Sequence, residues 1–286
     1  MSTLVFKNAK VFDGDSAELR AGQMVRVVGD TIEQVAAHVP VADAEVVDCG
    51  GRVLMPGLID AHVHVYAASL NLGRLAQTPF SYLALFAAKF MRSSLDAGFT
   101  TLRDLGGAEV GLASALKADL LGLAPRLYYC GRVISQTGGH GDFRPGDHGL
   151  DGYIPCGCAA YADKFAVIAD GADAVRRAVR EELRRGASHI KVMASGGVVS
   201  PTDPLERCQY SDDEIRAAVE EAERAGAYVA THCHPAEAVR RSAELGVRTI
   251  EHGTLMDART ADFVAERGAY VVPTMATISA LADQGA

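Results

Sequence analysis

The chain reads as an α/β protein built on a parallel sheet, with a small antiparallel β region in front of it. Two patterns predict this. From Pro56 onward, short apolar strands alternate with helical stretches, and a glycine closes one helix after another. A third observation concerns chemistry. Of nine histidines, five stand at the C-terminal ends of three predicted strands. That is the end at which barrel proteins keep their active sites.

Taken in order, residues 3–55 hold short apolar runs bounded by Gly and Asp. Leu4-Val-Phe leads into Lys10-Val-Phe, Met24-Val-Arg-Val-Val28 runs into Gly29-Asp30, and Thr31-Ile-Glu-Gln-Val35 follows. Such runs predict antiparallel strands in a thin sheet. The domain boundary is expected between 1–55 and 56–286. Beyond it, strands are expected at the apolar run ending in His64, at Thr100–Asp104, Arg126–Cys130, His189–Met193, Ala227–Thr231, Arg248–His252 and Ala269–Pro273. Helices are expected over Phe80–Ala97, Ala108–Leu121, Asp173–Arg185, from Ser211 to Gly226, over Ala236–Leu245 and Asp257–Glu266. Ser211-Asp-Asp-Glu214 has the form of a capping box. A long loop rich in Gly, Pro, Asp and His spans Ile134–Tyr161. Seven strands are counted from residue 57. A closed (β/α) barrel needs eight, and alternation alone leaves an open doubly wound sheet as the alternative. No Gly-x-Gly-x-x-Gly follows the first strand, which argues against dinucleotide binding.

Bulk properties narrow the function. The 286 residues are 49% hydrophobic, enough for a substantial core. A net charge of −8 with mixed signs disfavours nucleic acid and anionic membranes as partners. The N-terminus has no basic region followed by a long apolar core, and no stretch has membrane-spanning length, so a cytoplasmic protein is expected. Six cysteines, including Cys156 and Cys158, show no zinc-finger spacing and read as free thiols.

The strand ends carry the chemistry. His62 and His64 lie two apart on a strand, so both rings face one way. Neutral imidazole is a common metal ligand, which makes the pair a candidate site. His232, His234 and His252 repeat the pattern on later strands. Arg103 and Asp104, at the end of the second strand, read as structural. Lys191 shares a face with His189 and Met193, while Ile190 and Val192 point to the helix layer. A lysine turned into a sheet interior is strongly desolvated. Either a carboxylate pairs with it, or it carries CO2 as a carbamate, an anion able to bridge two metal ions.

Several runs resemble motifs of the amidohydrolase superfamily. Met55-Pro-Gly-Leu-Ile-Asp-Ala-His-Val-His64 resembles its first-strand motif. His189-Ile-Lys-Val-Met-Ala-Ser-Gly-Gly197, Val229-Ala-Thr-His232 and Thr249-Ile-Glu-His-Gly253 resemble its fourth-, fifth- and sixth-strand motifs, in the right order. Thr137-Gly-Gly-His-Gly-Asp142, Gly196-Gly-Val-Val-Ser-Pro201 and Arg248-Thr-Ile-Glu-His-Gly-Thr-Leu-Met-Asp257 carry a narrower likeness. It is to metal-dependent carboxypeptidases and prolidases of the imidazolonepropionase-like group. Some of their relatives hydrolyse ochratoxin.

The resemblance implies a (β/α)8 TIM barrel with a small N-terminal β-sandwich domain. It also implies two divalent metal ions, zinc as the first expectation, with manganese or iron fitting similar ligands. His62 and His64 would hold the more buried ion, carboxylated Lys191 would bridge, and His232 and His252 would hold the more exposed one. His234 would hydrogen-bond the scissile carbonyl or the substrate carboxylate, or else merely wall the site. His140 is a second candidate for substrate contact, with a loop-packing role as its alternative. The implied reaction is amide hydrolysis of N-acyl amino acids or dipeptides by a metal-bridged hydroxide. The implied assembly is a homo-oligomer.

The family also expects an aspartate at the end of an eighth strand, to move the proton, and C-terminal strands that return to the small β domain. Neither is found here, and Asp283 lies in no strand motif. The natural protein is therefore expected to be longer. Two rival readings remain. One is a deaminase or chlorohydrolase with a single metal, against which Lys191 argues. The other is a catalytically inactive fragment or scaffold.

Overall fold

The computed structural model describes residues 2–144, 164–198 and 203–283. The chain divides into two compact units, Met1–Leu58 and Ile59–Ala286. The first unit holds β1 (Thr3–Val11), β2 (Arg20–Val28), β3 (Thr31–Ala36), β4 (Glu45–Asp48) and β5 (Val53–Leu54). Their order is β3-β2-β1-β4, with β5 also paired to β1. The first three strands are antiparallel, as the short alternating runs predict. β4 and β5 instead run parallel to β1. The segment after β3 crosses back over the sheet, so the all-antiparallel expectation fails for these two. Ala9, Val11, Val25 and Cys49 form the small core.

The second unit follows the predicted alternation. It contains β6 (Leu58–Val63), α1 (Leu72–Gln77), α2 (Phe80–Asp96), β7 (Phe99–Asp104), α3 (Val110–Lys117), β8 (Arg126–Tyr129), β9 (Val133–Ser135), β10 (Ala166–Ile168) and α4 (Ala172–Arg184). Then come β11 (Ile190–Met193), α5 (Asp212–Arg224), β12 (Val229–Pro235), α6 (Ala236–Glu244), β13 (Thr249–Leu255), α7 (Ala258–Glu266), β14 (Tyr270–Val272) and α8 (Met275–Asp283). Two sheets result, ordered β6-β7-β8 and β10-β9-β11-β12-β13-β14. The pairs β7–β8, β9–β11, β11–β12, β12–β13 and β13–β14 are all parallel. Ser188 N donates to Tyr129 O at 2.9 Å, bringing the approach to β11 against the end of β8. Apart from β10, which pairs with β9 on the side away from β11, strands that are neighbours in sequence are neighbours within each sheet.

The third predicted strand, Arg126–Cys130, is present as β8, and a further short strand, β9, follows it. Gly131, at φ +75°, separates β8 from β9, and a Cβ there would overlap the Glu182 carboxylate. Glu182, on α4, is 1% exposed and accepts from Arg132 N at 3.1 Å and Arg132 Nε at 2.8 Å. A buried carboxylate wedged into the strand needs glycine beside it, and pattern reading has no means of seeing that. β9 occupies the start of the expected long loop. Residues 145–163, with Cys156 and Cys158, lie outside the described residues. α3 is shorter than the expected Ala108–Leu121 at both ends: Glu109 caps its start, its carboxylate accepting from Gly111 N and Leu112 N, and the helix stops at Lys117, two residues before Asp119 at φ +56°. Asp283 is the last residue of α8, at no strand end. No helix among the described residues is long and apolar enough to cross a membrane.

Strand alternation sorts the core from the site. Ile190, Val192, Val229, Cys233 and Ile250 face a helix layer supplied by Val175, Val179, Ile215, Val219, Val239 and Val264. The opposite strand face carries Lys191, His232, His234 and Glu251. The predicted capping box is present: Ser211 Oγ accepts from Glu214 N, and the Glu214 side chain accepts from Ser211 N. Ile215, one residue further along α5, is fully buried. Ile215→Ala is expected to lower unfolding stability by about 2–5 kcal/mol, read as an earlier urea midpoint at unchanged slope.

Candidate metal centre

The site gathers at the C-terminal ends of β6, β11, β12 and β13. Period-2 alternation puts Ala230, His232 and His234 on one face of β12 and Thr231 and Cys233 on the other. Cys233 joins the helix-side core and is the Cα partner of His252 on β13. In a regular strand, Glu251 and His252 would face opposite ways. His252 instead has φ +75°, and Gly253 has φ +60°. A non-glycine residue in that region is strained, and here the turn sends the His252 ring to the same side as the Glu251 carboxylate.

The imidazoles form one connected group. Ring centroids are 5.3 Å apart for His62–His64, 4.9 Å for His62–His252, 4.6 Å for His232–His252, and 4.7 Å for His232–His234. His140 stacks on His232 at 4.1 Å and 20°. One ring nitrogen from each of His232, His234 and His252 lies within 4.8 Å of the others. All seven predicted site residues therefore fall in one unit, and the six histidines among them share one neighbourhood.

Each ring uses one nitrogen on the protein and keeps the other clear. His62 Nδ1–H donates to Glu251 Oε2 at 2.8 Å, and His64 Nδ1–H donates to Gly106 O at 3.1 Å. His232 Nε2–H donates to Gly196 O at 3.0 Å. His234 Nδ1 pairs with Thr254 Oγ1 at 3.1 Å, and His252 Nδ1 with Thr274 Oγ1 at 2.7 Å. His140 Nδ1 pairs with Asp203 Oδ2 at 3.0 Å. Outer partners of this kind fix the tautomer and orientation of a metal-binding imidazole. The remaining nitrogens have no hydrogen-bond partner among the described residues.

Electrostatics keep those nitrogens basic. Desolvation, then the Lys191 charge, pushes His62 well below the usual imidazole range. Desolvation, then neighbouring His140, does the same for His232 and takes His234 down to about 4. Desolvation also leads the lowering at His252. These rings are neutral at pH 7 and offer lone pairs, so the donor set fits a cation that prefers nitrogen.

Lys191 is 1% exposed, and its Nζ has neither a hydrogen bond nor an ion pair among the described residues. Burial lowers its pKa, with Glu251 opposing. The carboxylate-paired alternative is not what the structure shows, because Glu251 gives its oxygens to His62 and Arg103. Arg103 and Asp104 are structural, as the sequence suggests. Arg103 Nε donates to Ala61 O at 2.7 Å, and its Nη1 to Thr249 Oγ1 at 3.1 Å. Asp104 accepts from Val65 N at 2.7 Å, Gly106 N at 2.9 Å and Ala108 N at 3.1 Å. It thereby sets the loop whose Gly106 carbonyl holds His64. A Cβ at Gly106 would lie 2.8 Å from Val133 and 3.3 Å from the His64 ring.

His64 is exposed, while His232 and His234 are 5% and 2% exposed. β6 is the edge strand of its sheet, so nothing beyond it in that sheet covers His64. Four supporting residues escaped sequence reading: Glu251, Thr254, Thr274 and Asp203. Glu251 was hidden because alternation assigns it the opposite face from His252. Thr274, at φ +47° just after β14, carries no pattern signal at all.

The amidohydrolase family model matches residues 53–285. Ochratoxinase from Aspergillus niger is 36% identical over 242 residues, 79% of this chain and 48% of that protein. A crystal structure of an amidohydrolase superposes with a TM-score of 0.93 at 47% identity, covering 99% of this chain and 69% of its own. A prolidase crystallised with N-methylphosphonate-L-proline gives a TM-score of 0.89 at 43% identity, covering 95% of this chain and 66% of its own. The chain spans about half the length of the curated relatives it matches.

Proposed function

Because the chain belongs to the amidohydrolase family, we propose that it forms the metal-binding part of a hydrolase that removes the C-terminal residue from N-acyl amino acids or dipeptides. One observation carries this reading: six histidines each keep one ring nitrogen without a hydrogen bond among the described residues, near a buried lysine that likewise has none there. The likenesses to a prolidase crystallised with N-methylphosphonate-L-proline and to ochratoxinase support that substrate class. The consecutive parallel strands are assigned as seven of the eight of a (β/α)8 barrel.

His62, His64, His232 and His252 would hold two divalent ions, zinc first, with Lys191 as a carbamate between them. Bound there, the ions polarise a carbonyl and make water acidic enough to attack near neutral pH. The protein's own part is positioning. Thr254 Oγ–H donating to His234 Nδ1 leaves His234 Nε2–H as a donor toward the scissile carbonyl oxygen. Its burial and its bonds to two strands hold that donor in place as charge develops. His140, braced by Asp203 and stacked on His232, is assigned to substrate contact.

A single-metal reading has one observation in its favour, the compact His232–His234–His252 triad. Metal content per chain separates the two, on protein purified without chelator. Close to two ions, with turnover on N-acyl amino acids or Xaa-Pro dipeptides, supports the binuclear hydrolase. Close to one ion favours the triad, and no metal at all overturns both.

A further inference from the structure

Glu251 is fully buried and reaches from one sheet to the other. It sits on β13, which has no sheet contact with β6 or β7. Its Oε2 accepts from His62 Nδ1 on β6 at 2.8 Å. Its Oε1 accepts from Arg103 Nη2 on β7 at 2.7 Å and from Thr249 Oγ1 on its own strand at 2.8 Å. A buried carboxylate needs a counter-charge, and two cations could supply it, Arg103 or a protonated His62. Arginine is always charged in proteins and is already in place. His62 is therefore free to remain a neutral donor.

We infer that Glu251 is the positioning residue for this centre: charge-balanced by Arg103, it locks His62 as the Nδ1–H tautomer and aims its Nε2 at the site. Glu251 also precedes His252, whose ring centroid is 4.9 Å from that of His62. One carboxylate thus fixes the spacing between a ring on β6 and a ring on β13, across a gap that no backbone ladder spans. Without it, a ring flip would leave the first histidine pair with one donor nitrogen pointing inward. The geometry stands on its own. Its consequence for metal binding rests on the hydrolase reading above.

The first test is histidine nitrogen-15 NMR on the metal-free chain, which reports the tautomer directly. His62 is expected to carry its proton on Nδ1, and an Nε2–H signal overturns the inference. In Glu251→Gln the Nδ1–H signal is expected to be lost or mixed, and an unchanged signal counts against the lock. Cobalt titration gives the second readout. Glu251→Gln is expected to weaken one cobalt site by about 10–100-fold and to leave the other alone. In a His62→Ala background the same substitution should cost nothing further. An undiminished loss there would mean that Glu251 acts only as a strut, and would overturn the inference. If Glu251→Gln does not fold, the wild-type tautomer decides. A wild-type chain with the expected tautomer but no cobalt binding would sink the metal reading and leave the positioning role standing.

Discussion

Lys191→Met is expected to abolish hydrolysis while making the metal-free protein more stable. The two halves have one cause. Lys191 is 1% exposed, and its Nζ makes no hydrogen bond or ion pair among the described residues, so its removal breaks none there and gives up only the longer-range attraction of Glu251. A lone ammonium in such a place is heavily penalised by desolvation, which also holds its pKa down. Methionine fills a similar volume with a flexible apolar chain. The expected gain is about 1–3 kcal/mol of unfolding free energy. Had Lys191 been one half of a buried ion pair, the same change would cost roughly 3–5 kcal/mol by stranding its partner. A drop in urea midpoint would therefore overturn the unpaired-lysine account.

Activity should go the other way, falling by more than about 10³-fold. The reason is chemical. A lysine with a lowered pKa is neutral part of the time, and a neutral amine can add CO2. The Nζ–C bond forms as one C=O π bond of CO2 opens onto oxygen, one proton leaves the nitrogen, and the neutral amine becomes an anion. Methionine cannot make that change. Carbon-13 NMR with labelled bicarbonate reads it directly. A carbamate signal present in the wild type and missing in Lys191→Met is expected, together with a metal content that falls below two per chain. Full metal loading in the variant would favour a single-metal site on the three histidines of β12 and β13.

The sequence made some of this legible and not the rest, for physical reasons. Strand positions were readable because alternation and glycine stops are local. His252 was readable only as a histidine at a strand end and Lys191 from alternation within its strand, while His62, His64 and His232 were readable because period 2 dictates the face near a strand end. His234 was readable for the same reason. What could not be read depends on contacts distant in sequence or on backbone angles. Glu251 meets His62 from 189 residues away. His252 faces inward only because its φ is +75°. Gly131 parts β8 from β9 where a carboxylate from α4 sits against it. The parallel course of β4 and β5 depends on a crossover that no run of apolar residues encodes.

Acid should destabilise the metal-free chain as pH falls from about 6.5 toward 4. The sign follows from linkage. A histidine whose folded pKa lies below its unfolded value binds more protons when unfolded, so stability is complete above about pH 6.5 and is lost as pH falls toward the folded pKa. Burial takes His234 down to about 4 and His189 down to about 3, and both side chains are essentially inaccessible. The His234 shift corresponds to roughly 3 kcal/mol if fully expressed, at about 1.4 kcal/mol per pH unit. His62, His232 and His252 shift the same way. Asp104 opposes them. Burial raises it to about 7, so the folded state gains from protonating it as pH falls. One carboxylate cannot offset five histidines. Between pH 7 and pH 4 the melting temperature of the metal-free chain is expected to fall by on the order of 10 °C. A divalent ion that binds the neutral rings should raise it at pH 7 and lose that effect toward pH 4, because protons and metal compete for the same lone pairs. Calorimetry at several pH values, with and without added zinc, measures both slopes. A melting temperature that stays flat down to pH 4 would mean that the histidines are not held neutral in the folded protein, and that the electrostatic basis assigned to this centre is wrong.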